Sequence, residues 1–373
     1  MYKDIYIFIH FFLMKLLVTC PLGLWSLLSQ EIKKLWYFPI NTFQTWTFVE
    51  TDYKGMLKIN YLSRIANKVY IQIAEGSAKT FDELFEIVKI SDYAQFSSNN
   101  NLSLKVECNK SSILNSTRAI QSVAHKAILE SITRFWKEEK YVEDLLLVNN
   151  HDYINLYLNS SWTALYQRGY KIKWWEAPLK ENIAAALLLL AWWKFKAPLY
   201  DFFCWSWTIV TEAALLAKNI APWTRRHFAF EHFKNFDHWW FLAIKEDAQA
   251  KQFNWDYKIY ASDISKEAIE ISQENAKRAW VDHIIQFEQK DFLNTTLSQD
   301  ERSWIISNPP YWKRITSPNL EQLYTKLKNS FTWNIFWGWI SSIEGTSIKK
   351  DFFSSKKLYN WAEECHFYRR KPN

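Results

Sequence analysis

The chain has 373 residues, a charged fraction of 23% and a net charge of +7. This length allows two or three domains with buried cores, and the charged fraction is that of a soluble globular protein. The positive charge modestly favours a polyanionic partner. The four cysteines (Cys20, Cys108, Cys204 and Cys365) are far apart and form no CxxC pair. That spacing argues against a zinc site or a disulfide framework, and it fits a reducing cytosol.

The amino terminus carries an apolar run from Ile5 to Leu13 that is too short to span a bilayer. A strand-like segment follows Met14 directly, so we expect residues 1–13 to be a misassigned upstream extension. The sequence shows no transmembrane helix elsewhere, and we expect neither a membrane nor a metal as a partner.

The first half of the chain mixes strands and helices in an α+β order. Short alternating stretches predict strands, and longer amphipathic stretches predict helices. The segments are a strand at Leu16–Thr19, a helix at Leu24–Leu35, alternating stretches at Thr47–Thr51 and Gly55–Asn60, a strand at Leu102–Cys108, a helix at Thr117–Phe135, and two paired strands at Leu145–Asn149 and Asp152–Leu158.

The second half changes to a regular alternation of strands and helices, and the domain boundary is expected near residues 160–180. Alternation of this length predicts a doubly wound parallel sheet. The segments are a helix at Glu181–Trp193, a loop at residue 201 followed by a helix, a strand at Lys258–Ala261, a helix at Lys266–Arg278, and strands at Ile284–Glu288 and Ile305–Ser307.

The most informative motif is Asn308-Pro309-Pro310-Tyr311, which follows a buried strand. Two prolines stiffen this loop, and ligands bind at the carboxyl ends of strands in open α/β sheets. The Asn308 side chain and the Pro309 carbonyl can accept hydrogen bonds from a planar amino group. The Tyr311 ring can stack on a base that has left its helix. The alternative is a proline-stiffened surface turn.

Three acidic residues precede this motif, each at the end of a predicted strand: Asp201, Asp263 and Asp291. A carboxylate after the second strand of a nucleotide-binding sheet suits two ribose hydroxyls, which is the role we expect for Asp263. The alternative is an N-cap, for which Ser265 competes. Asp291 suits an adenine amino group with Phe292 packed on the ring, or it is an ordinary loop residue. The ordered set is stronger evidence than any member.

Glycine and tryptophan are present in unusual numbers, 6 and 22. Ordinary glycine usage is about 7%, or roughly 26 residues in this chain, and tryptophan stands where turns call for glycine. The sharpest case is Cys204-Trp205-Ser206-Trp207-Thr208, between a strand and a helix. A loop of that kind needs glycine for positive φ and close backbone approach to a ligand.

Our hypothesis is that many of these tryptophans are glycines in the native protein. A gene from an organism that decodes UGA as glycine would produce this pattern if it were translated as though UGA meant tryptophan. The alternative is a tryptophan-rich protein. The hypothesis predicts UGA codons for five tryptophans in loops and UGG codons for two where an aromatic fits. The five are Trp205, Trp207, Trp280, Trp312 and Trp361, and the two are Trp193 and Trp339.

With glycine at 205 and 207, the segment from Asp201 to Thr208 resembles motif I of class I S-adenosylmethionine methyltransferases, specifically RNA methylases with an N-terminal THUMP domain. Glu176–Asn182 resembles the helix that precedes the sheet in that family, and the Asn308 loop resembles its amino-methylating motif. Lys357–Cys365 resembles its final hairpin, and Ala66–Tyr70, Thr80–Leu84 and Ser116–Gln121 resemble its ferredoxin-like and THUMP regions. The tryptophans at 205, 207 and 312 depart from the family pattern.

The resemblance implies an α/β fold, with a doubly wound Rossmann-like methyltransferase sheet after an α+β ferredoxin-like and THUMP region. It implies a ferredoxin-like region at 14–70, a THUMP domain at 71–165 and a methyltransferase domain at 166–373. The expected catalytic residues, which would hold the target base, are Asn308, Pro309, Pro310 and Tyr311. The expected cofactor-binding residues are Pro178, Lys180, Asp201, Phe203, Cys204, Trp205, Ser206, Trp207, Thr208, Asp263, Ile264, Asp291 and Phe292. Lys105, Lys110 and Arg118 are candidate phosphate contacts, with a solvated surface role as the alternative.

The activity that the resemblance implies is transfer of a methyl group from S-adenosylmethionine to the N2 amine of a guanine in structured RNA. Large-subunit 23S ribosomal RNA is the first candidate substrate, and transfer RNA is the second. Such a reaction depends on positioning and requires no metal. An adenine-N6 nucleic-acid methyltransferase remains an alternative, because Asn-Pro-Pro-Tyr serves both amines. A non-catalytic RNA-binding protein is the other, if the tryptophans of the cofactor loop are real.

Overall fold

The computed structural model describes residues 13–110, 112–132, 140–171, 179–222, 226–296, 301–309, 322–323, 325–326, 335–341, 354–361 and 363–370. These residues form two compact units. The first comprises the chain up to Cys20 together with Ser29–Leu165 and Arg226–Lys245, and the second comprises Pro21–Leu28, Tyr166–Arg225 and Glu246 onward. No helix within the described residues is both long and apolar enough to cross a membrane.

The first unit is built on one seven-stranded sheet. Its strands are β1 Met14–Thr19, β2 Pro39–Thr42, β3 Trp46–Thr51, β4 Lys68–Ser77, β5 Leu102–Cys108, β6 Glu143–Asn150 and β7 Tyr153–Asn159. They lie in the order β2-β3-β1-β4-β7-β6-β5, and neighbouring strands are antiparallel except β5 and β6, which are parallel. The predicted strands at Leu16–Thr19, Leu102–Cys108 and on both sides of the Asn149–Asp152 turn are confirmed. The expected boundary at residue 70 falls inside β4.

The helices of this half are α1 Trp25–Lys34, α2 Tyr53–Leu62, α3 Phe81–Lys89, the short α4 Tyr93–Phe96 and α5 Thr117–Ile132. One sequence prediction is wrong: Gly55–Asn60, read as an alternating stretch, lies within α2. The reason is local. The Asp52 side chain accepts a hydrogen bond from the Gly55 amide at 2.7 Å and caps the helix, whose buried residues include Met56, Leu57 and Ile59. A capped start with a buried face outweighs a short alternation.

The second unit is built on another seven-stranded sheet. Its strands are β8 Leu199–Asp201, β9 Ile259–Asp263, β10 Ile285–Gln289, β11 Ser303–Ser307, β12 Ile335–Ser341, β13 Ser354–Asn360 and β14 Glu363–Arg370. In the order β10-β9-β8-β11-β12-β14-β13, the first five strands run parallel and β14 is antiparallel to both of its neighbours. The predicted parallel sheet and the predicted final hairpin are confirmed.

The remaining helices are α6 Glu181–Leu190, α7 Thr208–Ala217, α8 His238–Ala250 and α9 Lys266–Arg278. Helix α7 follows β8 and helix α9 follows β9, as strand-helix alternation requires. A cluster of aromatic and aliphatic side chains fills part of the core of the second unit. Its buried members are Phe202, Phe203, Phe292, Ile305, Ile335, Trp339 and Tyr368. This core holds the loops that follow β8 and β10, because Phe202 and Phe203 lie in the first loop and Phe292 lies in the second.

Candidate functional site

Four strands of the second sheet end side by side and place the candidate residues along one edge. The pairing Asp201↔Ala261 joins β8 to β9, Gln289↔Asp263 joins β10 to β9, and Ile305↔Tyr200 joins β11 to β8. Because these strands are parallel, all of their carboxyl ends lie at the same edge. In open parallel sheets this edge, where the strand order reverses, is where ligands bind.

Asp263 ends β9 and uses both carboxylate oxygens. Its Oδ1 accepts the Ser265 amide at 3.0 Å, and its Oδ2 accepts the Trp205 amide at 3.0 Å. Ser265, rather than Asp263, caps helix α9, because its hydroxyl accepts the Ala268 amide. Burial raises the pKa of Asp263, and these hydrogen bonds oppose the shift. Asp263 thus ties the loop after β8 to the end of β9.

Asp201 ends β8 and is fully buried. Its Oδ1 accepts the Phe203 amide at 3.2 Å, whereas its Oδ2 has no hydrogen-bond partner among the described residues. Burial raises the pKa of Asp201 to about 7, and the hydrogen bond from the Phe203 amide opposes part of the shift. An unsatisfied buried oxygen is unfavourable in the protein alone, so this atom is available to a ligand or to a proton.

The loop between β8 and α7 makes a tight turn. Cys204–Ser206 form one turn of 3-10 helix, and Trp207 has φ 40°, which lies in the left-handed region. The Trp207 side chain is fully buried, and its indole Nε1 has no hydrogen-bond partner among the described residues. Cys204 is buried, and burial raises the pKa of its thiol well above the usual range. Thr208 begins α7, with its hydroxyl 3.4 Å from the Leu179 carbonyl oxygen.

Trp205 lies across the candidate site. Its amide donates to Asp263, and its indole Nε1 donates to the Asn308 carbonyl oxygen at 3.2 Å. The side chain therefore bridges the loop after β8 and the loop after β11. The aspartates at this edge fit a cofactor with ribose and adenine groups, but the indole of Trp205 occupies the space between the two loops. Tryptophan at 205 does not fit a bound cofactor.

The other candidate cofactor residues lie near this edge with ordinary local contacts. Asp291 accepts the Leu293 amide at 2.9 Å, where it caps the 3-10 turn Phe292–Asn294. Phe292 is buried, with its ring centroid 5.1 Å from that of Phe202. Ile264 is 67% exposed. The Lys180 Nζ lies 4.9 Å and 4.6 Å from the ring centroids of Tyr166 and Trp361.

Some candidates lie outside this description. Pro178, Pro310, Tyr311 and Trp312 fall outside the described residues, although Asn308 and Pro309 are buried within them. The candidate phosphate contacts belong to the first unit. Lys105 is exposed and donates to Glu107 at 2.6 Å, and Lys110 and Arg118 are exposed. Their roles stay predictions.

Sequence reasoning missed a buried ionic network in the second unit. Arg168 donates to both oxygens of Glu212, at 2.8 Å from Nε and 3.0 Å from Nη2, and both side chains are fully buried. The Tyr170 hydroxyl also donates to Glu212, at 3.1 Å. Nearby in the chain, Lys171 pairs with Glu181 at 3.1 Å. Arg168 and Glu212 are 44 residues apart and form no motif, so the sequence offered no signal.

Comparison with known families identifies the class and then the family. Residues 168–364 match the RMKL-like methyltransferase domain, and residues 15–70 match the RlmL ferredoxin-like domain. The protein is an S-adenosylmethionine-dependent methyltransferase, as its parallel sheet and acidic edge indicate. More particularly, the chain belongs to the RMKL-like methyltransferase family.

Among curated proteins, the chain is 30% identical over 372 residues to "Putative RNA methyltransferase YpsC" of Bacillus subtilis, covering 95% of this chain and 94% of that protein. It is also 30% identical to "Ribosomal RNA large subunit methyltransferase K/L" of Shewanella baltica, covering 94% of this chain and 52% of that protein. The chain thus spans nearly all of the Bacillus relative and about half the length of the Shewanella relative.

Solved structures confirm the predicted fold class. A structure described as a "possible methylase" from Clostridium difficile has a TM-score of 0.87 at 32% identity, covering 97% of this chain and 99% of that one. A structure from Listeria monocytogenes, described as a predicted N6-adenine-specific DNA methylase, has a TM-score of 0.89 at 26% identity, with 98% of each chain covered. A structure described as "SMU.472, a putative methyltransferase complexed with SAH" has a TM-score of 0.87 at 23% identity, covering 97% of this chain and 98% of that one. At this identity the likeness bears on the fold alone.

Proposed function

We propose that this methyltransferase acts on the exocyclic N2 amine of a guanine in structured RNA, with 23S ribosomal RNA as the first candidate substrate and transfer RNA as the second. The names of the Bacillus and Shewanella relatives support RNA, and the Shewanella name supports the large ribosomal subunit. Because the chain spans about half of the Shewanella relative, the proposal covers one methylation and not the whole activity of that protein.

The observation that carries the proposal is the hydrogen bond from the Trp205 indole to the Asn308 carbonyl oxygen. An indole Nε1–H and a purine amine are both planar N–H donors on aromatic rings. The backbone at Asn308 therefore offers an acceptor that faces the loop after β8. A target amine held there, by this carbonyl or by the neighbouring Asn308 side chain and Pro309 carbonyl, would be oriented toward the cofactor-binding edge.

Other residues of the site have proposed supporting roles. Asp263 would bind the ribose hydroxyls and Asp291 the adenine amine, since each follows a parallel strand at the same edge. Asp201, with its unpartnered oxygen, would complete the acidic set. The loop from Phe203 to Thr208 would approach the cofactor through its backbone. Tyr311 would stack on the extruded base.

We also propose that the first unit binds RNA through a THUMP domain at residues 71–165. Lys105, Lys110 and Arg118 are exposed basic residues of this region. Lys105 already bonds Glu107, so phosphate contact falls more on Lys110 and Arg118. RNA of this kind is recognised by shape and backbone, which leaves base selection to the pocket. The four cysteines are free thiols, which supports a cytosolic location.

The test uses the W205G/W207G variant, because the indole at 205 does not fit a bound cofactor. Calorimetry first establishes that S-adenosylmethionine binds. Tritiated-methyl transfer to ribosomal RNA from cells that lack the enzyme is then measured, and the product nucleosides are analysed. The expected product is N2-methylguanosine in ribosomal RNA.

Other products would move the assignment. Methylation of transfer RNA alone would change the substrate. Methylated adenine would favour the adenine-N6 class, which the description of the Listeria structure names. With the cofactor demonstrably bound, absence of transfer to any RNA or DNA would favour a non-catalytic RNA-binding protein.

A further inference from the structure

The backbone of the described residues contains an unusual group of tryptophans. Among the described residues, nine other than glycine have positive φ, between 40° and 71°. Three of them are His151, Asp152 and Asn219, and these residue types tolerate the left-handed region. The other six are all tryptophan: Trp36, Trp162, Trp192, Trp207, Trp280 and Trp361. Nothing in the chemistry of an indole favours this backbone conformation.

Left-handed backbone is strained for any side chain with a Cβ atom, and a bulky residue there is an outlier. Glycine adopts it without this penalty. An aromatic side chain selected for packing or for binding would be found at all backbone conformations. The concentration of one bulky residue type at positive φ therefore indicates that the positions were selected for glycine.

Three of the six end helices in the same way. At the end of α1, the Trp36 amide donates to the Lys33 carbonyl and the next amide donates to the Ile32 carbonyl. After α6, the Trp192 amide donates to the Leu189 carbonyl and the next amide donates to the Leu188 carbonyl. After α9, the Trp280 amide donates to the Lys277 carbonyl and the next amide donates to the Ala276 carbonyl. This pair of backbone hydrogen bonds is the Schellman motif, whose left-handed residue is usually glycine and sometimes asparagine. Asn219 has that position after α7.

The other three lie in turns. Trp361 follows Asn360 in the β13–β14 hairpin, in a connection between paired residues Asn360 and Glu363. Hairpin loops of two residues require positive φ at their first position, which favours glycine. Trp162 lies three residues after β7 with φ 71°, and Trp207 turns the chain into α7 with φ 40°.

We infer that residues 36, 162, 192, 207, 280 and 361 are glycine in the protein as its own cell makes it, and that a UGA codon read there as glycine is written here as tryptophan. Trp205 belongs with them on different grounds, since its indole blocks the cofactor edge. The helix-end and hairpin positions lie outside the cofactor loop, in both units, so the pattern is not a local change at the site. The native enzyme then has a glycine loop at 205 and 207.

Adjacent residues provide an internal contrast. Trp193 directly follows Trp192, yet it is not among the residues with positive φ. It is 4% exposed, and its indole Nε1 donates to the Ala197 carbonyl at 3.0 Å. Trp193 therefore has the burial and the hydrogen bond expected of a native tryptophan. The inference separates two neighbours that composition alone cannot separate.

The first experiment reads the gene and the natural protein. UGA is expected at the six positions and UGG at Trp193, and peptides of the protein purified from its source organism should contain glycine at the six. UGG at Trp36, Trp192 and Trp280 would overturn the inference, as would natural peptides with tryptophan there. The result is independent of which substrate is methylated, so it stands or fails apart from the proposed function.

The second experiment separates backbone conformation from loss of the indole. Trp280→Gly should raise the thermal unfolding midpoint by roughly 2–4 °C, because it relieves left-handed strain on the exposed end of α9. Trp280→Ala is the matched control, since it removes the indole but keeps the Cβ atom, and it should give a lower midpoint than Trp280→Gly. Trp193→Gly should lower the midpoint. A Trp280→Ala protein as stable as Trp280→Gly, or a stabilised Trp193→Gly, would contradict the inference.

Discussion

Two groups of buried charges in the second unit differ in how fully they are satisfied. Arg168 and Glu212 make two parallel hydrogen bonds, and Tyr170 adds a third to the same carboxylate. Asp201 is equally buried, but one of its oxygens has no partner within the described part of the chain. The carboxylate of the first group has all of its hydrogen-bond partners within the protein. The second leaves an acceptor unpaired at the edge where four strands end.

This difference separates structural charges from ligand-binding ones. A buried ion pair whose hydrogen bonds are all made within the pair needs no further partner. Removing one member leaves the other as an uncompensated buried charge. A buried carboxylate with an unpaired oxygen is unfavourable until something binds it, and such groups concentrate at functional sites. Substitutions in the ionic pair and at the strand ends test this division.

Removing one side of the satisfied pair should cause the largest loss of stability. Arg168→Ala leaves Glu212 charged and buried, and we expect unfolding to become easier by about 3–5 kcal/mol. Urea denaturation followed by circular dichroism measures the change. Arg168→Met combined with Glu212→Gln removes both charges and keeps an acceptor for Tyr170, so it should recover most of the loss. If the single variant lost less stability than the double variant, the ion pair would not stabilise the fold.

Asp201 should make stability depend on pH. Its folded-state pKa of about 7 lies above the ordinary value of 3.8, so the folded state binds the proton more tightly. Stability from this group is therefore greatest at acid pH and is lost as pH rises from about 4 to about 7. Asp201→Asn lacks this loss of stability. In the window between about pH 4 and about pH 7, its free energy of unfolding should therefore rise relative to that of the parent protein, by at most about 4 kcal/mol. Urea denaturation at both ends of the window measures the gain. A difference between the two proteins that is constant with pH would place the pKa of Asp201 in its ordinary range.

Asn308 should matter for reaction and not for binding. In the W205G/W207G protein, Asn308→Ala removes the side-chain oxygen proposed to orient the target amine and keeps the backbone carbonyl. It should lower methyl transfer by roughly a hundredfold or more, because this orientation is worth most in the transition state. Single-turnover transfer measures the rate, and calorimetry of S-adenosylmethionine is the control, with unchanged affinity expected. Equal losses in rate and in cofactor affinity would point to a disrupted loop after β11 instead.

Asp263 should contribute directly to cofactor affinity. In the same glycine variant, Asp263→Ala should weaken S-adenosylmethionine binding by about 1.5–3 kcal/mol, the value of hydrogen bonds to a charged group. Calorimetry measures the change. Asp282→Ala removes an exposed carboxylate of the same unit and is the matched control. Affinity that both substitutions leave unchanged would remove the ribose role from Asp263.

Much of the second unit could be predicted from sequence because its signals are local. Strand and helix periods alternate along the chain. Asp201 and Asp263 end β8 and β9, and Asp291 lies two residues after β10. The prediction failed at Gly55–Asn60, where one capping bond from Asp52 selected a helix. The Arg168–Glu212 pair and the unpaired oxygen of Asp201 arise from packing of distant segments. No spacing rule contains that information.

Strand β4 has a consequence for how the first unit folds. The match to the RlmL ferredoxin-like domain ends at residue 70, inside β4, which pairs with β1 on one side and with β7 on the other. The partner of Tyr70 on the β7 side is Asn159, almost ninety residues later in the chain, so this edge of β4 is covered only after β7 has been synthesised. During synthesis β4 is therefore an open edge, which is the kind of surface that aggregates. A fragment cut at residue 70 would lose most of the β4 residues that pair with β7. The two halves of this sheet should therefore be expressed, and should unfold, as one cooperative body.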